Sequence, residues 1–116
     1  MKKTVIAFDV DGTLIQNGAT AGYNMVPNER IVNLLIVLSK LKNTKIIVWS
    51  GAGKEWADEA VATLALARFV SATYDKNYRG IVDGKHVFEP DIVPDIAIDD
   101  IHDCALGTVN LIVREK

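Results

Sequence analysis

Asp9 and Asp11 stand two apart in the run Asp9-Val10-Asp11-Gly12-Thr13, Ser50-Gly51 closes one apolar run, and Asp99-Asp100 closes another, with Asp103 just beyond. Taken singly, an Asp at the end of an apolar run is an ordinary cap or turn residue. Taken together, Asp9, Asp11, Asp99 and Asp100 predict one crevice. Carboxylates gathered at short range repel strongly unless some are protonated or a cation lies among them. A hard cation that prefers oxygen, Mg²⁺ above all, is the natural occupant. Two aspartates two apart project the same way only from extended chain, and Gly12 then allows a sharp exit.

The elements that must position these groups alternate between strand and helix. Residues 4–8 (TVIAF) and 45–49 (KIIVW) are short apolar runs of the kind that form buried parallel strands. Between them, residues 12–26 read as a connection long enough to fold over a site. Pro27 suits a helix start, and Ile31, Leu34, Leu35, Leu38 and Leu41 recur on one helical face. After the break at Ser50-Gly51-Ala52-Gly53, helical spacing returns at Trp56, Ala60, Val61, Leu64 and Ala67, and residues 69–74 predict a third strand. Residues 75–94 read as irregular, with a tight turn at Asp83-Gly84 and with Pro90 and Pro94 preventing a long helix. Residues 96–98 form a fourth short run, 101–106 a brief helix and 109–113 a last strand. Strands separated by helices predict an α/β fold, a Rossmann-like three-layer sandwich around a mostly parallel five-stranded sheet with right-handed crossovers. Ligands in such sheets bind beyond the carboxyl ends of the strands, where all of the acidic clusters fall.

Composition narrows the function classes. The length is that of one domain, the net charge is −2, and hydrophobic residues make up 49% of the chain, an ordinary globular balance. No basic excess announces a nucleic acid or an anionic membrane. Residues 89–103 hold six acids and no Lys or Arg, which argues further against a polynucleotide. The apolar run after Lys2-Lys3 is ended by Asp9 too early for a signal peptide, and no stretch approaches the roughly 20 apolar residues of a membrane span. A single cysteine, Cys104, excludes an internal disulfide and points to a reducing compartment. A cytoplasmic protein is expected.

The three apolar-run-plus-motif segments, VIAFDVDGT at 5–13, IIVWSG at 46–51 and IAIDD at 96–100, together resemble the first, second and fourth motifs of the haloacid dehalogenase (HAD)-like hydrolase superfamily. They occur in the family's order and span nearly the whole chain. The resemblance implies a Mg²⁺-dependent phosphatase. In it, Asp9 is the nucleophile that forms an aspartyl-phosphate. Asp11 is general acid, then base, and an Asp in that place looks like the phosphatase branch. Ser50 and the amide of Gly51 hold phosphoryl oxygens, and Gly12 belongs to the substrate-binding turn. Mg²⁺ is held by the Asp9 carboxylate, the Asp11 main-chain carbonyl and Asp100, with Asp99 orienting that shell. The family's third motif is a lysine that usually opens a helix. Lys76, directly after the third strand, is the first choice here and Lys85 the alternative, with Arg79 a further candidate.

The connections are too short for a cap: 36 residues separate Thr13 from Ser50, and 24 separate Gly51 from Lys76. The resemblance is therefore to capless members, whose open site calls for a bulky substrate or a second subunit to cover it. A small phosphorylated substrate is expected. Two other classes compete: a HAD-like fold whose catalysis has decayed into a binding role, and a receiver-type phosphoacceptor, whose accepting Asp and lysine would end other strands than these. An EF-hand loop is excluded by its missing later acidic positions. The remaining polar and aromatic residues have plainer expectations. His86 and His102 read as surface or partly buried residues, Trp49 as packing turned away from the site, and Trp56 as core. Cys104 reads as buried and inert. Asp103 reads as metal-shell support or a helix first turn, and Tyr23 and Asn24 as exposed loop residues, with substrate contact from a flap as the alternative.

Overall fold

The computed structural model describes residues 2–19 and 24–114. Seven strands and two helices follow one another as β1 (Thr4–Asp9), α1 (Glu29–Ser39), β2 (Thr44–Ser50), α2 (Lys54–Thr63), β3 (Ala72–Asp75), β4 (Tyr78–Val82), β5 (Lys85–Phe88), β6 (Ile96–Asp99) and β7 (Val109–Ile112). Five of the strands form one sheet in the order β3-β2-β1-β6-β7, and every neighbouring pair is parallel. The α/β sheet read from the sequence is therefore present.

Its register aligns the motif ends. Phe8 pairs with Ile98 and Asp9 with Trp49, so Asp9 and Asp99 finish adjacent strands at the same level, and Ser50 lies one residue further along β2.

The two-residue period of the strands divides the core. Ile6, Phe8, Ile46, Val48 and Ile98 point to one face, where Leu35 of α1 and Ala57, Ala60 and Val61 of α2 cover them. Ala7, Ile47, Trp49 and Ala97 point to the other. Strands buried on both faces must be apolar at consecutive positions, which explains why TVIAF and KIIVW read as continuous runs.

The second face has no helix among the described residues. It is covered by Phe88 of β5 and by irregular chain carrying Ile92, Ile101, Cys104 and Leu106. The brief helix expected at 101–106 does not form, and the Leu106 amide that would close it is engaged otherwise. The Ile101 amide bonds Asp99 Oδ1 at 3.1 Å, and the Leu106 and Gly107 amides both bond Asn110 Oδ1 at 2.9 Å. Gly107 is fixed by packing: a Cβ there would stand 2.9 Å from the Ala97 main-chain nitrogen.

Three further expectations are corrected. The helix expected to reach Ala67 ends at Thr63, since Ala65 turns to φ +56° and Leu66 takes the buried position instead. The third strand starts at Ala72 rather than 69, after a turn in which the Phe69 amide bonds the Leu66 carbonyl at 2.9 Å. The segment 75–94 is not wholly irregular: β4 and β5 form an antiparallel hairpin. Its turn is Asp83-Gly84, both with positive φ (51° and 77°), the arrangement that suits two-residue hairpin turns.

On α1, Leu35 is fully buried while its neighbour Leu34 is 37% exposed. In urea unfolding, Leu35→Ala is expected to cost about 2–5 kcal/mol and Leu34→Ala less than about 1 kcal/mol. Equal losses would contradict this placement of the helix.

Candidate active site

Asp9 ends β1 and is 5% exposed. Its Oδ1 accepts a hydrogen bond from Lys76 Nζ at 2.7 Å, and its Oδ2 accepts one from the Thr13 hydroxyl at 3.1 Å. Thr13 comes back to Asp9 because the chain turns at once. The Thr13 and Ile15 amides bond the Val10 carbonyl, and the Gly12 amide bonds the Ile15 carbonyl. Gly12 makes this possible at φ +77°. It also gives room to Asp100: a Cβ at this position would lie 2.1 Å from Asp100 Oδ2. A side chain there would have to displace the Asp100 carboxylate and hold a strained backbone.

Of the candidate lysines, Lys76 is the one drawn into the site. Its amide bonds the Ser50 carbonyl at 3.0 Å, which pins the backbone just past β3. Its side chain is buried and its ammonium bonds both Asp9 Oδ1 and Asp99 Oδ2 at 2.7 Å. The Phe88 and Trp49 rings flank the ammonium, with centroids 5.3 and 5.9 Å away. Lys85 is exposed at the start of β5, and Arg79 pairs with Glu89 on the exposed hairpin. Lys76 opens no helix; a hairpin follows it.

Asp9, Asp99 and Asp100 bring carboxylate oxygens within 4.8 Å of one another. Asp99 is committed through both oxygens, to Lys76 and to the Ile101 amide. Asp100 is only half-buried. A donor set made wholly of carboxylate oxygens fits a hard divalent cation. The side chain of Asp11 is not part of that group. Its Oδ2 accepts the indole N–H of Trp56 at 3.0 Å, so Trp56 packs on the core through its ring and tethers Asp11 through its nitrogen.

Burial is the main force on the acids. It pushes the Asp9 carboxyl well above its ordinary value; Lys76 opposes the shift, while Asp99 and Asp100 add to it. Burial and Asp99 likewise raise Asp100. Burial would depress the Lys76 ammonium, but Asp9 and Asp99 together outweigh it and raise its pKa. The lysine stays charged and is shared between two acids, Asp9 and Asp99.

Ser50 is buried at the end of β2, and its hydroxyl oxygen accepts the Ala52 amide at 2.9 Å. Gly51 is exposed at the approach to α2, next to the Phe88 ring. Trp49 was expected to turn away from the site, yet its ring borders Lys76, because Trp49 and Asp9 are paired and share a face. Its indole nitrogen is buried without a hydrogen-bond partner among the described residues. Asp103 takes neither expected role, since it binds His86 Nδ1 at 2.8 Å and ties the hairpin to the chain after β6. His86 is thus partly buried, whereas His102 is exposed. Cys104 is half-buried, and burial, with help from Asp103, raises its thiol pKa, which keeps it protonated and unreactive. Asn24 is exposed; Tyr23 lies outside the described residues.

Thr13 and Trp56 are the site residues that sequence reasoning did not single out. Thr13 carried a signal in its place within the Asp9-to-Thr13 run, and Trp56 carried none. No helix of the described residues is long and apolar enough to cross a membrane. Comparison of the chain with protein-family models, curated proteins and solved structures finds no match.

Unfolded aspartates ionise near pH ~3.9, whereas folded Asp9 and Asp100 ionise at higher pH. Between those values the folded state holds more protons, so the metal-free protein should lose stability as pH rises through that window. Mg²⁺ should reverse the loss, adding about 2.7 kcal/mol at a hundredfold excess over its Kd. Thermal melts across pH with and without Mg²⁺ check this. Melting that ignores both pH and the cation would contradict the charge balance described.

Proposed function

We propose that this protein is a Mg²⁺-dependent phosphatase that hydrolyses a small phosphate monoester through an aspartyl-phosphate on Asp9. The observation that carries the reading is the environment of Asp9: a buried carboxylate with an ammonium on one oxygen and a hydroxyl on the other, beside Asp99 and Asp100. The three strands bearing the motifs, β2, β1 and β6, are neighbours at the middle of a parallel sheet. This supports a capless HAD-like core, in which the irregular cover of the second face serves as the third layer of the sandwich.

In the first step an Asp9 oxygen attacks phosphorus, and the bond from phosphorus to the ester oxygen breaks. Asp11 donates its proton to the departing alkoxide. Water then attacks the aspartyl-phosphate, giving its proton to Asp11, and phosphate leaves with the Asp9 carboxylate restored. Lys76 neutralises charge on Asp9 and the phosphoryl oxygens. The Thr13 hydroxyl holds the second Asp9 oxygen in place. Ser50 and the Gly51 amide receive phosphoryl oxygens near the start of α2, where the helix dipole favours an anion. Mg²⁺, held by Asp9, Asp100 and the Asp11 main-chain carbonyl with Asp99 orienting the set, would supply positive charge between the nucleophile and the anionic substrate.

A decayed, binding-only relative has no need of a lysine on the nucleophile, and Lys76 bonds Asp9. Its position on Asp9 supports catalysis instead. The acidic stretch 89–103 supports a small ester over a polynucleotide, and the absence of a basic surplus supports a site remote from membranes.

Phosphate release from an aryl phosphate should require Mg²⁺ and fall roughly a thousandfold or more in Asp9→Asn. Undiminished activity in that variant would remove Asp9 as nucleophile. Trp56→Phe keeps the ring but removes the donor to Asp11. It should lower kcat about tenfold with little change in KM, on the scale of one hydrogen bond to a charged group. An unchanged kcat would show that Asp11 works without its tether.

A further inference from the structure

The β4–β5 hairpin contributes none of the groups that do chemistry, yet one of its faces lies against them. His86 and Phe88 alternate on β5, and Tyr78 pairs with Phe88 across the ladder. The three rings form a row: Tyr78 and Phe88 have centroids 5.0 Å apart, and Tyr78 and His86 5.9 Å apart, all tilted. Phe88 is the inner member, 5.3 Å from the Lys76 ammonium. It also touches Gly51, where a Cβ would meet Phe88 Cε1 at 3.2 Å and Tyr78 Cβ at 3.9 Å. His86 is the outer member, fixed through its ring nitrogen and its amide to Asp103 Oδ2 at 2.8 and 3.2 Å.

Tyr78, between them, is 41% exposed. A two-stranded hairpin has little stability alone. This one is clamped at its base by the Asn77–Glu89 main-chain bond and at its side by Asp103. The result is an aromatic row that starts beside Lys76 and Gly51 and runs outward, with its middle ring open to solvent.

We infer that Tyr78, backed by Phe88 and His86, is a stacking platform for the leaving group, selecting phosphate monoesters whose alcohol carries a flat ring. The inference rests on the phosphatase reading and adds to it the class of ester. A phosphoryl group held by Ser50, Gly51 and Lys76 presents its ester oxygen away from Asp9, as in-line displacement requires. The departing alcohol then lies along the rim that the hairpin forms. A planar ring stacks there on Tyr78 at small entropic cost, because the platform is already ordered. Both aryl phosphates and nucleoside monophosphates carry such a ring. A longer nucleic acid is disfavoured by the acids of residues 89–103.

The test is calorimetric binding to the Asp9→Asn protein in Mg²⁺, where turnover is blocked, with phenyl phosphate, a nucleoside 5′-monophosphate and glycerol 3-phosphate. At least one ring-bearing ester should bind roughly tenfold or more tightly than glycerol 3-phosphate. Tyr78→Ala should bring it to within about twofold of the aliphatic ester, and Tyr78→Phe should keep the preference. Preference for phenyl phosphate alone assigns the aryl class, and preference for the nucleotide alone assigns the nucleoside class. Three equal affinities, or an equal weakening of all three in Tyr78→Ala, would overturn the platform. The phosphatase reading survives that result if the unmodified enzyme still turns over either kind of ester. No binding of any ester, together with no turnover by the unmodified enzyme, would remove both.

Discussion

Three carboxylates and one ammonium crowd together at the rim of the sheet, all but Asp100 buried, and the rest of the molecule is arranged around that imbalance. Lys76 bonds Asp9 and Asp99, while Asp100 stands against both acids with no cation of its own among the described residues. Charges in a weakly screened interior interact far more strongly than at a surface. Such a cluster must hold a proton or bind a cation. A buried ion pair is seldom a source of net stability, and two core strands ending in acids make little sense as architecture alone. The imbalance fits the proposed chemistry, in which a divalent ion would sit beside a carboxylate whose two oxygens are already held in place.

The fold meets the positional demand with little chain. A parallel sheet puts all its carboxyl ends on one rim, and the pairing of Phe8 with Ile98 brings Asp9 and Asp99 level. Strand alternation sends Asp9, Trp49 and Asp99 to one face, where Lys76 descends between the Trp49 and Phe88 rings. The opposite face holds both helices, and from α2 Trp56 reaches Asp11. The nucleophile and the general acid of the proposed mechanism are thus held by different halves of the core. Gly12 separates them and clears the space that Asp100 occupies.

What was legible in the sequence was whatever depends on local pattern. Buried parallel strands declare themselves as short apolar runs, so β1, β2 and β6 were found within a residue or two, and their acidic ends with them. Lys76 could be preferred but not placed, because its role depends on a turn after β3 and on a contact across 67 positions. The hairpin was missed as paired strands, since its residues are largely exposed and lack the apolar alternation that marks a half-buried strand. Only its Asp83-Gly84 turn was visible. The expected helix at 101–106 is absent where Asn110 captures the Leu106 amide, which a helix would have closed on the carbonyl four residues back. The bonds from Trp56 to Asp11 and from His86 to Asp103 join distant segments, and no spacing rule announces them.

The central claim is that the imbalance around Asp9 serves to make and break a covalent phosphoryl bond on that residue. Acid-quenched mass spectrometry of the Asp11→Asn protein, mixed with Mg²⁺ and an aryl phosphate whose leaving group departs without a proton, addresses it most directly, since loss of the base should let the aspartyl-phosphate accumulate. The account predicts the added mass of one phosphoryl group, mapped by peptide analysis to Asp9 and discharged by hydroxylamine. A protein that releases phosphate while carrying no phosphoryl group, or carrying it on another residue, would contradict it.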